Sequence, residues 1–115
     1  KYKASKEFAE EYYIEMKNIE NLYKSASKAE TKLKSLANSN RLMLLCLLQD
    51  APKDVSSLVT ASALSQSVVS QHLAKLKEAE VVTADKEGKS IIYKITDPVT
   101  LSILSSLYLA YCYPN

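Results

Sequence analysis

One glycine in 115 residues, Gly88, is the tightest constraint this chain places on its own fold. Glycine enters positive φ without a steric penalty, and phosphate-cradling loops such as G-x-G-x-x-G or the P-loop need several such positions. A nucleotide-dependent enzyme is therefore not expected, nor any cofactor. With three prolines besides, most of the chain is free to run as helix. From about Ala4 to Ala37 there is neither Pro nor Gly, and Phe8, Tyr12, Ile19, Leu22, Tyr23, Ala26, Leu33 and Leu36 recur at helical intervals among Lys and Glu. That stretch reads as one long helix or two abutting ones. Ser25 and Ser27 mark the expected junction, because serine competes for backbone hydrogen bonds inside a helix.

The hydrophobic fraction of 47% and charged fraction of 24% are those of an ordinary globular domain. A core of this size leaves little stability in reserve, so self-association would help it. The longest apolar run, Leu42 to Leu48, is seven residues, far short of the ~20 that span a bilayer. Lys1 in the place of an initiator Met implies a trimmed chain, and no signal-peptide core follows it. A cytoplasmic location is expected. A net charge of +2 is too small to argue for nucleic acid by itself, so any binding face must be local. The two cysteines are too few for a secreted-type disulfide framework, which leaves core packing or redox chemistry.

Asn38-Ser39-Asn40 supplies capping residues for a short helix, Arg41 to Gln49, so apolar that most of its sides are expected to be buried; Ala51-Pro52 ends it. Asp54 or Ser56 can cap a brief helix through Val59, and Leu64-Ser65-Gln66 opens another running to about Ala79. In that helix Val69, Leu73 and Leu76 share one side by 3.6 periodicity, while Gln66, Ser67, Ser70, Gln71 and Ala74 share the other. Short polar groups, in place of the Lys and Glu of a solvated face, permit close approach to a partner. Val81 to Asp85 and Ser90 to Thr96 are β-branched and aromatic, with Lys86-Glu87-Gly88-Lys89 between them as the turn of a hairpin. Asp97-Pro98 then starts a last helix, Val99 to Tyr111, without a charged residue after Asp97, which points to burial on several sides and to a subunit interface.

Helices, a polar-faced helix, a hairpin and a final helix follow one another in the order of a winged helix-turn-helix. The fold class expected is mainly α with a β-hairpin wing. Residues 1–115 form one such domain: 1–26 a helical extension or dimer arm, 54–79 the helix-turn-helix, 81–96 the wing and 97–112 the dimerisation helix. Gln bonds adenine bidentately and Ser bonds bases or phosphates, which makes Gln66, Ser67, Ser70 and Gln71 a credible reading face for double-stranded DNA. Lys75, Lys86, Lys89 and Arg41 can neutralise phosphates, and His72 can contact phosphate or hold the turn. The alternative is that these are polar surface residues and nothing more.

The stretches Leu36-Ala37-Asn38-Ser39-Asn40-Arg41-Leu42, Leu64-Ser65-Gln66-Ser67-Val68-Val69-Ser70-Gln71-His72-Leu73 and Lys86 to Tyr93 resemble the ArsR/SmtB winged-helix repressors over about Ser27 to Cys112. The resemblance implies a homodimer through the first and last helices, released from operator DNA by an inducer. Metal sensing does not carry over. The arsenic and lead type has a Cys-x-Cys pair where this chain has Asp54-Val55-Ser56-Ser57-Leu58, and the zinc and nickel type has Asp and His pairs on the last helix, where Asp97 stands alone. His72 is the sole histidine, and one histidine is not a metal site. Glu80 occupies a position where many relatives have glycine, so the junction into Val81 is expected to form without a left-handed cap.

Cys46 and Cys112 stand 66 residues apart in the contexts Leu44-Leu45-Cys46-Leu47-Leu48 and Tyr108-Leu109-Ala110-Tyr111-Cys112. This resembles the branch of the family typified by BigR, SqrR, YgaV and HlyU. There, two cysteines at this spacing respond to persulfides or oxidants by forming an intramolecular disulfide or polysulfide. The resemblance implies a dithiol-switched repressor, or an activator of the same build that displaces another repressor. The residues alone point less far. A cysteine inside a leucine run is usually inert packing, and Tyr108, Tyr111 and Tyr113 around Cys112 suit an ordinary interface as well as a sulfur pocket.

Overall fold

The computed structural model describes residues 9–11 and 18–113. Two compact units, 1–31 and 32–115, make up the chain. Helix α1 (Ile19–Leu36) runs through Ser25 and Ser27 without the junction expected there. Alanine, lysine and glutamate around the serines carry the helix across them, and the Ser27 carbonyl also accepts a hydrogen bond from Thr31 Oγ1 at 3.1 Å. Phe8 and Tyr12, expected to lie on the first helical stretch, are outside the described residues.

Within the second unit each helix is started by a side-chain cap. Asn38 caps α2 (Ser39–Asp50), its Oδ1 accepting from Arg41 N at 3.1 Å. Asp54 caps α3 (Val55–Ser62), accepting from Ser57 N at 2.8 Å. Ser65 caps α4 (Gln66–Glu78), and Asp97, followed by Pro98 in the first turn, caps α5 (Pro98–Tyr111). The wing is shaped differently from the sequence reading. Lys86 and Glu87 belong to the strand, not the turn, because β2 (Val82–Glu87) pairs with β3 (Ser90–Ile95) out to Glu87 opposite Ser90. That leaves Gly88 and Lys89 as a two-residue loop, with Gly88 at φ +64. A two-residue strand missing from the sequence reading, β1 (Lys53–Asp54), pairs antiparallel with β3, giving the sheet order β1-β3-β2.

The turn from α4 into the wing corrects the expectation for Glu80. This residue is itself left-handed, at φ 60. Glu80 N donates to Lys77 O at 3.0 Å and Val81 N to Leu76 O at 2.9 Å, the paired bonds of a Schellman motif. Leu76 and Val81, the two apolar residues that close such a motif, are both fully buried. Glutamate thus takes the left-handed position that glycine usually fills.

The core is built from Leu36, the inner faces of α2, α3 and α4, the start of β2, and Leu104. Neither α2 nor α5 is covered as fully as its composition suggested. In α2 Leu44, Leu45 and Leu48 are buried while Cys46 is exposed. In α5 only Thr100 and Leu104 are buried; Val99, Tyr108, Leu109 and Tyr111 are exposed. No helix among the described residues is long and apolar enough to cross a membrane.

Candidate functional site

The helix-turn-helix is formed by α3 and α4 around a tight corner. Ala63 ends α3 at φ 62 with its N–H on Val59 O, and Ser62 Oγ accepts from Leu64 N at 3.2 Å, which turns the chain before Ser65 starts the next helix. With Val69, Leu73 and Leu76 anchored at zero exposure, the opposite side of α4 faces solvent. Gln66, Ser67, Ser70, Gln71 and Lys75 are all exposed there, and Gln71 Nε2 lies 3.4 Å from Ser67 Oγ. Lys86 and Lys89 are exposed at the wing tip.

Arg41 and His72 sit otherwise. Both are half-buried, and the Arg41 guanidinium is occupied: Nε donates to Ser35 O at 2.5 Å and Nη2 to Lys34 O at 3.2 Å. These carbonyls belong to the last turn of α1, where cations are favoured. Arg41 Nη1 also lies 3.4 Å from His72 Nδ1. Burial, with the positive charges of Arg41 and Lys75 added, pushes the pKa of His72 down. A neutral ring that accepts from Arg41 fits this position, fastening α4 to α2 and to the end of α1.

A third contact was not foreshadowed by any motif. Lys32 Nζ meets Asp97 Oδ2 at 2.7 Å, and the same oxygen accepts from Thr100 N at 3.0 Å and Thr100 Oγ1 at 2.5 Å. Burial alone would raise the Asp97 carboxyl, but the Lys32 and Thr100 bonds outweigh it and hold the group below the usual carboxylate range. The start of α5 is thereby fixed.

Its other end is open. Cys46 and Cys112 line one groove of about 650 Å³ between α2 and α5, with Leu42, Gln49, Asp50, Leu104, Leu107, Tyr108 and Tyr111. Partial burial pushes the Cys46 thiol up, and the sulfur of Cys112 adds to this by opposing a second negative charge. No disulfide joins the two cysteines. Among the described residues no cluster of His, Cys, Asp and Glu has the makings of a metal site.

Residues 38–84 match the model of the bacterial regulatory protein, arsR family. The transcriptional activator HlyU of Vibrio cholerae is 35% identical over 98 residues, which is 85% of this chain and 91% of that protein. The chain belongs to the ArsR family. It is a transcriptional regulator, and its relatives are DNA-binding proteins, not enzymes. A biofilm growth-associated repressor of Agrobacterium fabrum is 33% identical over 80% of this chain and 79% of its own. The structure of reduced HlyU superposes with a TM-score of 0.75 at 35% identity, over 80% of this chain and 97% of that one. A homodimeric winged helix-turn-helix DNA-binding domain from Mycobacterium bovis, 25% identical, superposes at 0.70 over 76% of this chain and 82% of its own. Helix-turn-helix and wing together make this chain's fold a winged helix-turn-helix.

Proposed function

We propose that this ArsR-family regulator is a cytoplasmic homodimer that binds operator DNA when its thiols are reduced and releases it when Cys46 and Cys112 become linked. The observation that carries this reading is the common groove: two cysteines from the second and last helices of the domain line the same cavity. A disulfide or short polysulfide across it would tie the free end of α5 to α2, while Asp97 keeps the other end fixed to Lys32. In a dimer joined through α1 and α5, any tilt of α5 alters the separation of the two recognition helices, which must match successive major grooves. The apolar residues left exposed on α5, Val99 and Leu109, with Ser102 and Ser106 between them, support that joint. Gln66, Ser67, Ser70 and Gln71 would read base edges, with Lys75, Lys86 and Lys89 on phosphates. Arg41 and His72 would support α4 from behind. The persulfide or oxidant acting as inducer would be sensed by sulfur chemistry, without metal or cofactor.

The test is fluorescence anisotropy with the chain's own promoter DNA, before and after treatment with glutathione persulfide or diamide. A clean switch requires affinity to fall about 100-fold, equivalent to about 3 kcal/mol. Cys46→Ser and Cys112→Ser should each bind DNA as the reduced protein does and ignore the inducer. Release of either variant by the same treatment sinks the link model. A second reading, activation by displacing another repressor, is favoured by the likeness to the activator HlyU. It predicts that the promoter is silent without this protein and active in a strain lacking the other repressor.

A further inference from the structure

The wing has two unlike faces, and only one of them suits DNA, an inference that rests on the DNA-binding reading and extends it to a single residue. Side chains alternate along a strand, and residues paired across an antiparallel ladder share a face. In the register of β2 and β3, Val82 lies opposite Ile95, Ala84 opposite Tyr93 and Lys86 opposite Ile91, so these six share one face. At the base of the hairpin that face belongs to the core, with Val82 buried and Tyr93 and Ile95 packed against the same cluster. Toward the tip it runs past the core and emerges as Lys86 and Ile91, both exposed. The opposite face carries Asp85 and Glu87, exposed as well. Phosphates repel these carboxylates, which leaves the face with Lys86 and Ile91 as the one that can turn to a duplex. Among the described residues, Ile91 is the one large apolar side chain left exposed outside α1 and the segment from α5 onward, at 47%. A dimer joined through α1 and α5 accounts for the others and not for this one.

We propose that Ile91 is a specificity-determining residue of the wing, lying in the operator minor groove beside the major groove that α4 occupies and favouring A·T over G·C pairs there. The reach is sufficient. β2 has six residues, which at about 3.4 Å each carry the tip about 20 Å from its base, and half a turn of DNA is about 17 Å. The tip is also unobstructed, since a Cβ built on Gly88 would meet no atom within 4 Å. Lys86, directly across the ladder, supplies the charge that holds this face against a phosphate. An isoleucine pressed into a minor groove gains apolar contact with the sugar walls. Over a G·C pair it meets the guanine N2 amino group, a donor that A·T pairs lack, and strips that donor of water without replacing the hydrogen bond.

Anisotropy with reduced protein and the chain's own promoter DNA reads this contact. Ile91→Ala should bind about tenfold more weakly, the worth of one side chain's apolar contact. The slope of log affinity against log salt should stay as in wild type, because isoleucine releases no counterion. Ile91→Thr keeps the branched shape that strands favour and should still lose at least threefold, which guards against a strand loosened by alanine. Ile91→Val should stay within twofold of wild type. The second arm compares three promoters, with A·T, G·C or inosine·C pairs in the minor grooves flanking each footprinted half-site. Inosine lacks the guanine amino group and keeps the major-groove acceptors N7 and O6. Wild type should prefer A·T and inosine·C over G·C by at least threefold, and Ile91→Ala should lose that preference. Alanine and threonine variants that bind as wild type does overturn the proposal. So does a weakened Ile91→Ala with an undiminished preference among the three promoters, since the contact then lies outside the minor groove. Both results leave the DNA-binding reading standing, whereas wild-type protein without salt-dependent affinity for the promoter overturns that reading and this proposal with it.

Discussion

Replacing Glu80 with glycine should make this protein more stable, and the size of the gain follows from one dihedral angle. Glu80 sits at φ 60 in the turn between α4 and the wing, where a side chain with a Cβ is disfavoured by about 1–2 kcal/mol. Glycine removes that cost but enlarges the unfolded ensemble, returning about 0.5–1 kcal/mol. Taking a negative charge away from the C-terminus of α4 adds a few tenths. The net expectation for Glu80→Gly is about 1 kcal/mol of added stability, or roughly 4–8 °C in Tm for a domain of this size. Because the hydrogen bonds from Glu80 N and Val81 N are main-chain bonds, the wing keeps its place and DNA affinity should not change. Denaturant titration at one fixed protein concentration measures the effect, since the midpoint of the proposed dimer would depend on concentration. Glu80→Asn should gain less and Glu80→Val should lose stability. Were glycine neutral or harmful, or valine tolerated, the left-handed turn would not be the source of strain.

Other expectations concern charge. His72 has a depressed pKa in the fold, so its contribution to stability is complete above about pH 6.5 and is lost as pH falls through the folded value; His72→Gln should flatten that part of the stability profile. Asp97→Ala should cost about 2 kcal/mol at neutral pH, combining a lost helix cap with a buried Thr100 hydroxyl left without its acceptor. Because the Asp97 carboxyl titrates below its ordinary range, wild type should lose this difference as pH falls below about 4, and the two denaturation curves should converge there. Lys86→Ala and Lys89→Ala should each lower the slope of log affinity against log salt by about one, measured by anisotropy, with little change in sequence preference. Gln71→Ala should instead relax discrimination at one base pair by about 1–3 kcal/mol, seen by competition with single-base operator variants.

The elements with strong local signals were legible in the sequence. Asn38, Ser65 and Asp97 announced their helix starts, Asp54 was one of two candidates for another, with Ser56, and the spacing of Val69, Leu73 and Leu76 fixed which side of α4 turns inward. Contacts between distant residues were not legible. Lys32 and Asp97 stand 65 residues apart, and nothing local to either says that they meet. Arg41 looked like a phosphate contact because its charge is visible in sequence, whereas the Lys34 and Ser35 carbonyls that occupy it are not. The exposure of Cys46 was hidden for a related reason: an apolar run shows that a helix needs cover, but not whether its own chain supplies it. Glu80 was misjudged because propensity ranks residues by cost, and a turn anchored by buried Leu76 and Val81 can bear about 1–2 kcal/mol of it.

The shortest element has a mechanical consequence. β1 is two residues long, yet it pairs Lys53 with Tyr93 and Asp54 with Ile92, and Asp54 is also the cap of α3. The base of the wing is therefore stitched to the first helix of the helix-turn-helix. At its other end the wing is joined to α4 by the main-chain bonds from Glu80 and Val81. Under the switch proposed above, wing and α4 are therefore expected to move together, so that groove and backbone contacts within a half-site are lost together.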